Sequence, residues 1–131
     1  MPPRLALFEL VVSDMARSLA FYRRLGVDIP PGADTEPHVD VDLGAGLHLA
    51  FDTEDTIRSF DASWTPPAGG HRSALAFACD SPAEVDATYA ALVDAGYHGE
   101  LKPWDAFWGM RYATVHDPDG ASVDLFAPLP E

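Results

Sequence analysis

Three observations predict an α+β fold. The chain falls into two halves with one order, a strand, a helix and then further strands. In each half a capping residue opens a run of apolar residues at helical spacing and a glycine closes it. The remaining apolar runs alternate with polar or small residues at the period of two that marks half-buried strands.

The first strand is the β-rich run LALFELVVSD, and its closing Ser13 and Asp14 are good N-cap types. Met15, Leu19, Tyr22 and Leu25 then recur at helical spacing until Gly26. After the turn IPPGADTEP, HVDVDLG and GLHLAFD alternate on either side of a Gly-Ala-Gly corner, which predicts a strand pair. In the second half SALAFACD is a strand and SPAE a capping box with proline at the first helical position. Val85, Tyr89, Leu92 and Val93 form the stripe of a helix closed by Gly96. ELKPW, MRYATVHD and ASVDLFAP follow as strands, the last two joined by the turn DPDG.

At 131 residues the expectation is one domain, 1–131, with module one at about 4–56, a linker at about 57–71 and module two at about 72–128. The linker carries Phe60, Trp64, two prolines and two glycines, a composition that points to a functional or flexible connection. No apolar run reaches membrane-spanning length, no secretion signal opens the sequence, and the single Cys79 allows no disulfide framework. A soluble protein of the cytoplasm, with no membrane partner, is expected. The net charge of -13 repels a phosphate backbone, so nucleic acid is not an expected partner.

Strand parity separates two surfaces. Val39, Val41 and Leu43 oppose His38, Asp40 and Asp42, and Leu47, Leu49 and Phe51 oppose His48, Ala50 and Asp52. In the second half, Leu75, Phe77, Ala113, Val115, Val123 and Leu125 oppose Ala74, Ala76, Tyr112, Thr114, Asp124 and Phe126. The first face asks for helices. The second, with alanines, carboxylates and aromatics, describes either a binding cleft or a solvated sheet face.

VVSDMARSLAFYRRLG near the start and GMRYATVHDPDGASVDLF near the end resemble the vicinal oxygen chelate superfamily, which includes glyoxalase I, bleomycin-resistance proteins and extradiol dioxygenases. The resemblance implies two βαβββ modules whose curled mixed sheets surround a cleft, in a module-swapped homodimer. Metal-dependent members carry ligands at four positions, which fall here on Leu7, His48, Ala74 (or Ser73 if the register slips by one) and Asp124. Only two of these can coordinate, whereas a catalytic zinc or iron needs at least three protein ligands, so neither metal nor cofactor is expected. His71, three residues before Ala74, is a candidate displaced ligand, although a loop-end histidine is more often merely exposed.

Within the superfamily, VSDMARSLAFYRRLGVDIP, GGHR, LVDAGYHGELKPW and VDLFAPLP are similar to the mitomycin-resistance type of drug-binding protein. There, planar quinone-type or polyaromatic ligands lie between an aromatic side chain and an imidazole, which the resemblance places at Trp108 and His38. The implied function is sequestration of a planar aromatic antibiotic without altering it, and no catalytic residue is assigned. Tyr112, Asp52, Glu9, His48, Asp124, Trp64 and Phe60 complete the candidate ligand contacts. Trp104 and Phe107 suit ligand binding or a core or dimer interface equally. Arg111, on the opposite parity, is expected to pair with a surface carboxylate, and His98 and His116, placed in turns, receive no role. The competing reading is an enzyme, either a metal-dependent lyase or dioxygenase or a metal-free isomerase using His48 and Asp124; a scaffold without a small ligand is the third.

Overall fold

The computed structural model describes residues 2–70 and 72–131. Backbone contacts gather the chain into two compact units, Met1–Ala68 and Gly69–Glu131.

The first unit runs β1 (Leu7–Val12), α1 (Met15–Arg24), a 3-10 turn (Pro31–Thr35), β2 (His38–Asp42), β3 (His48–Thr53) and α2 (Glu54–Arg58). Its three strands lie in the order β1-β3-β2, with β1 parallel and β2 antiparallel to β3. Asp14 caps α1, its Oδ1 accepting from the Arg17 amide at 3.0 Å. The helix stops where Gly26 takes φ +90, a left-handed turn that a side chain resists. Met15, Leu19 and Tyr22 are buried, and the Tyr22 ring meets Phe51 of β3 with centroids 5.3 Å apart.

The second unit runs β4 (Ala74–Ala78), α3 (Pro82–Asp94), β5 (Gly99–Asp105), β6 (Met110–His116) and β7 (Ser122–Pro128), with strand order β4-β7-β6-β5. Ser81 accepts from the Glu84 amide at 3.2 Å, while the Glu84 carboxylate returns to the Asp80 amide, one residue earlier than a reciprocal capping box requires. Helix α3 packs on β5, β6 and β7, with Val85, Leu92, Ala113, Val115, Val123 and Leu125 buried.

The architecture is thus α+β with two mixed sheets, as expected, and three details differ. Among the described residues the first unit has three strands, one short of βαβββ. After β3 the chain enters α2, because Thr53 caps Thr56, Glu54 and Asp55 occupy the first turn and Arg58 the last. Leu43 and Leu47 do not join the apolar face: the corner between them holds Gly44, Ala45 and Gly46 at positive φ, the strands end short of it, and both leucines are exposed. Val93 is likewise exposed, leaving Val85 and Leu92 as the buried stripe of α3.

The β6–β7 turn depends on Asp117, a buried residue whose Oδ1 accepts from the amides of Asp119 and Ala121, both at 2.9 Å. Asp117→Ala strands both amides and is expected to lower stability by about 1–3 kcal/mol in urea unfolding. Asp117→Asn, which keeps one acceptor oxygen, loses less.

Candidate functional site

Register places the polar face of the first sheet residue by residue. His38 pairs with Asp52, Asp40 with Ala50 and Asp42 with His48, while Glu9 of β1 pairs with Ala50 and so lies diagonal to Asp52. Asp52 is 5% exposed and its Oδ1 stands 2.6 Å from His38 Nδ1. Burial would push the Asp52 carboxyl up, but hydrogen bonds from Glu9 and His38, with the imidazole's charge, bring it below the ordinary carboxylate value. An ionised Asp52 only accepts, so His38 Nδ1 donates and Nε2 carries the lone pair in the neutral ring. Glu9 is pushed up by its hydrogen bond to Asp52, with desolvation adding to it. The three form a chain in which Asp52 accepts, Glu9 gains proton affinity and His38 presents an oriented imidazole that is half exposed. His48 Nδ1 and Asp40 Oδ1 form a second such pair at 2.5 Å, which raises the His48 pKa.

A different arrangement occupies the second sheet. Tyr112 pairs with Phe126 and Thr114 with Asp124 across β6–β7. The Tyr112 hydroxyl donates to Asp124 Oδ2 at 2.5 Å and the Thr114 hydroxyl to Oδ1 at 2.8 Å, so both carboxylate oxygens are engaged. Desolvation and the bond to Asp124 push the Tyr112 phenol to about 12. Gly109, at φ +88, closes the β5–β6 turn, and Trp108 stands there 48% exposed. Around Trp108 the rings of Trp104, Phe107 and Tyr112 sit edge-on at centroid distances of 5.4, 4.9 and 5.3 Å, a favoured aromatic geometry. Tyr112 in turn stacks on Phe126 at 6.5 Å. Phe107 is 92% exposed.

The candidate residues thus fall into groups. Glu9, His38 and Asp52 meet in the first unit, with His48 beside them on Asp40, while Trp104, Phe107, Trp108, Tyr112 and Asp124 meet in the second. Phe60 is exposed after α2, and Trp64 lies under the Arg58 guanidinium, 5.3 Å from its ring centroid. Arg111 pairs with Asp86 at 2.9 Å and Asp105 at 3.0 Å, as its parity implies. His116 and His98 are not merely turn residues: His116 ends β6, and its amide donates to the His98 carbonyl just before β5. A hollow of about 610 Å³ lies along Met15, Asp34, Pro37, Thr53 and Ser59 in the first unit, and none of the candidate residues lines it.

The family model for the Glyoxalase/Bleomycin resistance protein/Dioxygenase superfamily matches residues 4–125. The chain belongs to that superfamily. Its members include both enzymes and non-enzymatic resistance proteins. A glyoxalase/bleomycin resistance protein/dioxygenase from Nocardioides is 26% identical, with 98% of this chain and 85% of that one covered and a TM-score of 0.74. A family enzyme from Burkholderia phytofirmans PsJN is 17% identical over 97% of this chain and 100% of its own, with a TM-score of 0.81. A glyoxalase-related enzyme from Fulvimarina pelagi is 22% identical over 95% of this chain and 87% of its own, with a TM-score of 0.77. The last two likenesses show the fold alone. No curated protein matches the chain.

The superfamily's metal does not fit the four positions that the resemblance assigns to it. Leu7 and Ala74 offer no donor atom, His48 Nδ1 is engaged by Asp40, and Asp124 accepts two hydroxyls. His71, the displaced candidate, lies outside the described residues. Cys79 offers no ready nucleophile either, since burial and the nearby Glu84 push its thiol up. No helix among the described residues is long and apolar enough to cross a membrane.

The raised Glu9 pKa has a signed consequence for stability. Below its ordinary value of 4.5 the carboxyl is neutral folded and unfolded; above it the unfolded state ionises first, and stability falls until the folded group follows. Melting temperatures of wild type and Glu9→Gln, compared from acid to neutral pH, are therefore expected to diverge above pH 4.5 in favour of the glutamine variant. Parallel curves would show that Asp52 does not raise the Glu9 pKa.

Proposed function

We propose that this protein binds a planar aromatic natural product of the quinone or intercalating type and protects by holding it unaltered. The observation that carries the reading is the aromatic cluster of the second unit. Three rings converge within 5.4 Å of Trp108, yet Trp108 and Phe107 remain exposed. Aromatic side chains supply rigid area at little entropic cost, and stacking on a flat ligand adds about 0.5–1.5 kcal/mol per pair beyond burial. Tyr112, fixed to Asp124, keeps the cluster preorganised, which is where a sequestering protein gains affinity.

In this reading His38 offers a second flat surface on the first unit, held by Asp52, and Glu9 and His48 offer hydrogen bonds to the ligand's polar edge. Phe60 and Trp64 contribute apolar contacts from the segment after α2. The protein works in the cytoplasm as a homodimer with exchanged modules, without nucleic acid as a partner. Mitomycin, an anthraquinone-fused enediyne and bleomycin are the ligands to try first.

One observation favours a second reading, an acid–base enzyme that needs no metal. His38 and Asp52 form an oriented imidazole–carboxylate pair whose Nε2 is available to take a proton. An isomerase built on His48 and Asp124 has less support, because Asp124 is committed to Tyr112 and Thr114.

Titration of the intrinsic tryptophan fluorescence with the three drugs tests both. Saturable quenching is expected, weakened roughly tenfold or more in Trp108→Ala, with the drug recovered at its original mass. A drug recovered altered, with the change lost in His38→Ala, replaces sequestration by the enzyme reading. No saturable quenching by any of the three overturns the ligand class.

A further inference from the structure

Three side chains outside both groups described above converge at one end of the second sheet. His116 is the last residue of β6, and His98, its neighbour across the ladder, lies two residues before Glu100 of β5. Cross-strand pairing sets His98 beside His116, and Glu100 follows two residues after His98, at the start of β5. The register slips between Gly99 and Leu101, leaving Glu100 as the extra residue of the bulged strand. The two imidazole rings stand 4.9 Å apart.

The distances distinguish this cluster from the other imidazole–carboxylate pairs. His38 meets Asp52 at 2.6 Å and His48 meets Asp40 at 2.5 Å, the lengths of charge-assisted hydrogen bonds. His98 Nε2 and His116 Nε2 instead stand 3.3 and 3.4 Å from one and the same oxygen, Glu100 Oε2. Ligands bonded to one tetrahedral ion at about 2.0–2.2 Å lie about 3.4 Å from each other. All three donor atoms fall within 4.8 Å of one another, a triangle that one ion can cap.

We propose that His98, Glu100 and His116 bind a divalent transition-metal ion, zinc above all, through two imidazole nitrogens and one carboxylate oxygen. The donor set selects the class: imidazole with carboxylate suits zinc and its neighbours, whereas calcium and magnesium ask for oxygen alone. Three protein ligands leave a position for water or an incoming group. His98 and Glu100 are solvent-accessible and the chain's net charge of -13 draws cations, so the ion exchanges readily with solution. None of the three residues is among the four positions considered above, and the proposal does not rest on drug binding. Bound, the ion clamps the bulged start of β5 to the end of β6, so it also stabilises the fold by mass action.

The test uses the full chain without a histidine tag, stripped by chelator and titrated calorimetrically with zinc chloride, with cobalt(II) chloride followed in the visible region as a second probe. One ion per chain is expected, with cobalt bands of a four-coordinate site and a melting temperature that rises with zinc. His98→Ala, His116→Ala and the near-isosteric Glu100→Gln should each weaken binding by about tenfold or more. Asp55→Asn, which removes an exposed surface acid, should leave it unchanged. The proposal is overturned by an absence of saturable binding, by binding that survives loss of both histidines, or by binding that depends on His48 and not on His98.

Discussion

A carboxylate on the polar face of a strand must find donors, and that requirement organises both sheets. Asp52, almost fully buried, is tolerable because His38 and Glu9 donate to it. Asp124 is tolerable because Tyr112 and Thr114 do. In each case the donor comes from a neighbouring strand, directly opposite or diagonal, so the pairs exist only at the observed register. A slip of one residue would turn every donor to the other face and leave both carboxylates stranded.

This constraint also limits what the polar faces can do. A carboxylate with both oxygens satisfied is a poor ligand and a poor base, which removes Asp124 from metal chemistry and from proton transfer alike. An imidazole held at Nδ1 by an ionised carboxylate gains a fixed tautomer and keeps Nε2. The same residue types therefore have opposite prospects, decided by the neighbours that β-pairing supplies.

The sequence made faces legible and pairings illegible. Period-two alternation assigned His38, Asp40, Asp52, Tyr112, Thr114 and Asp124 to their faces, because side-chain direction in a strand depends only on parity. Which residue opposes which depends on register across 10 or 14 positions of chain, as in Thr114 with Asp124 or His38 with Asp52, and alternation says nothing about that. His98 and His116 suffered most, since each looks isolated until the β5–β6 ladder sets them side by side. Helix α2 was not read from the sequence: Thr53 and the flanking charges mark it, but five residues are too few for an apolar period to emerge. The identity of any ligand leaves no comparable trace, because aromatic area suits many flat molecules.

The two units present electrostatically different surfaces, and the reason lies in how each carboxylate is satisfied. In the second unit the donors are hydroxyls, and the Tyr112 phenol, pushed to about 12, stays neutral throughout the physiological range. The rings around Trp108 therefore form a platform whose charge does not change with pH, suited to a flat ligand bound by area. In the first unit the donors are the His38 imidazole and the Glu9 carboxyl, and because the hydrogen bond to Asp52 raises the Glu9 pKa, the polar face there carries a pH dependence that the hydroxyls on Asp124 do not.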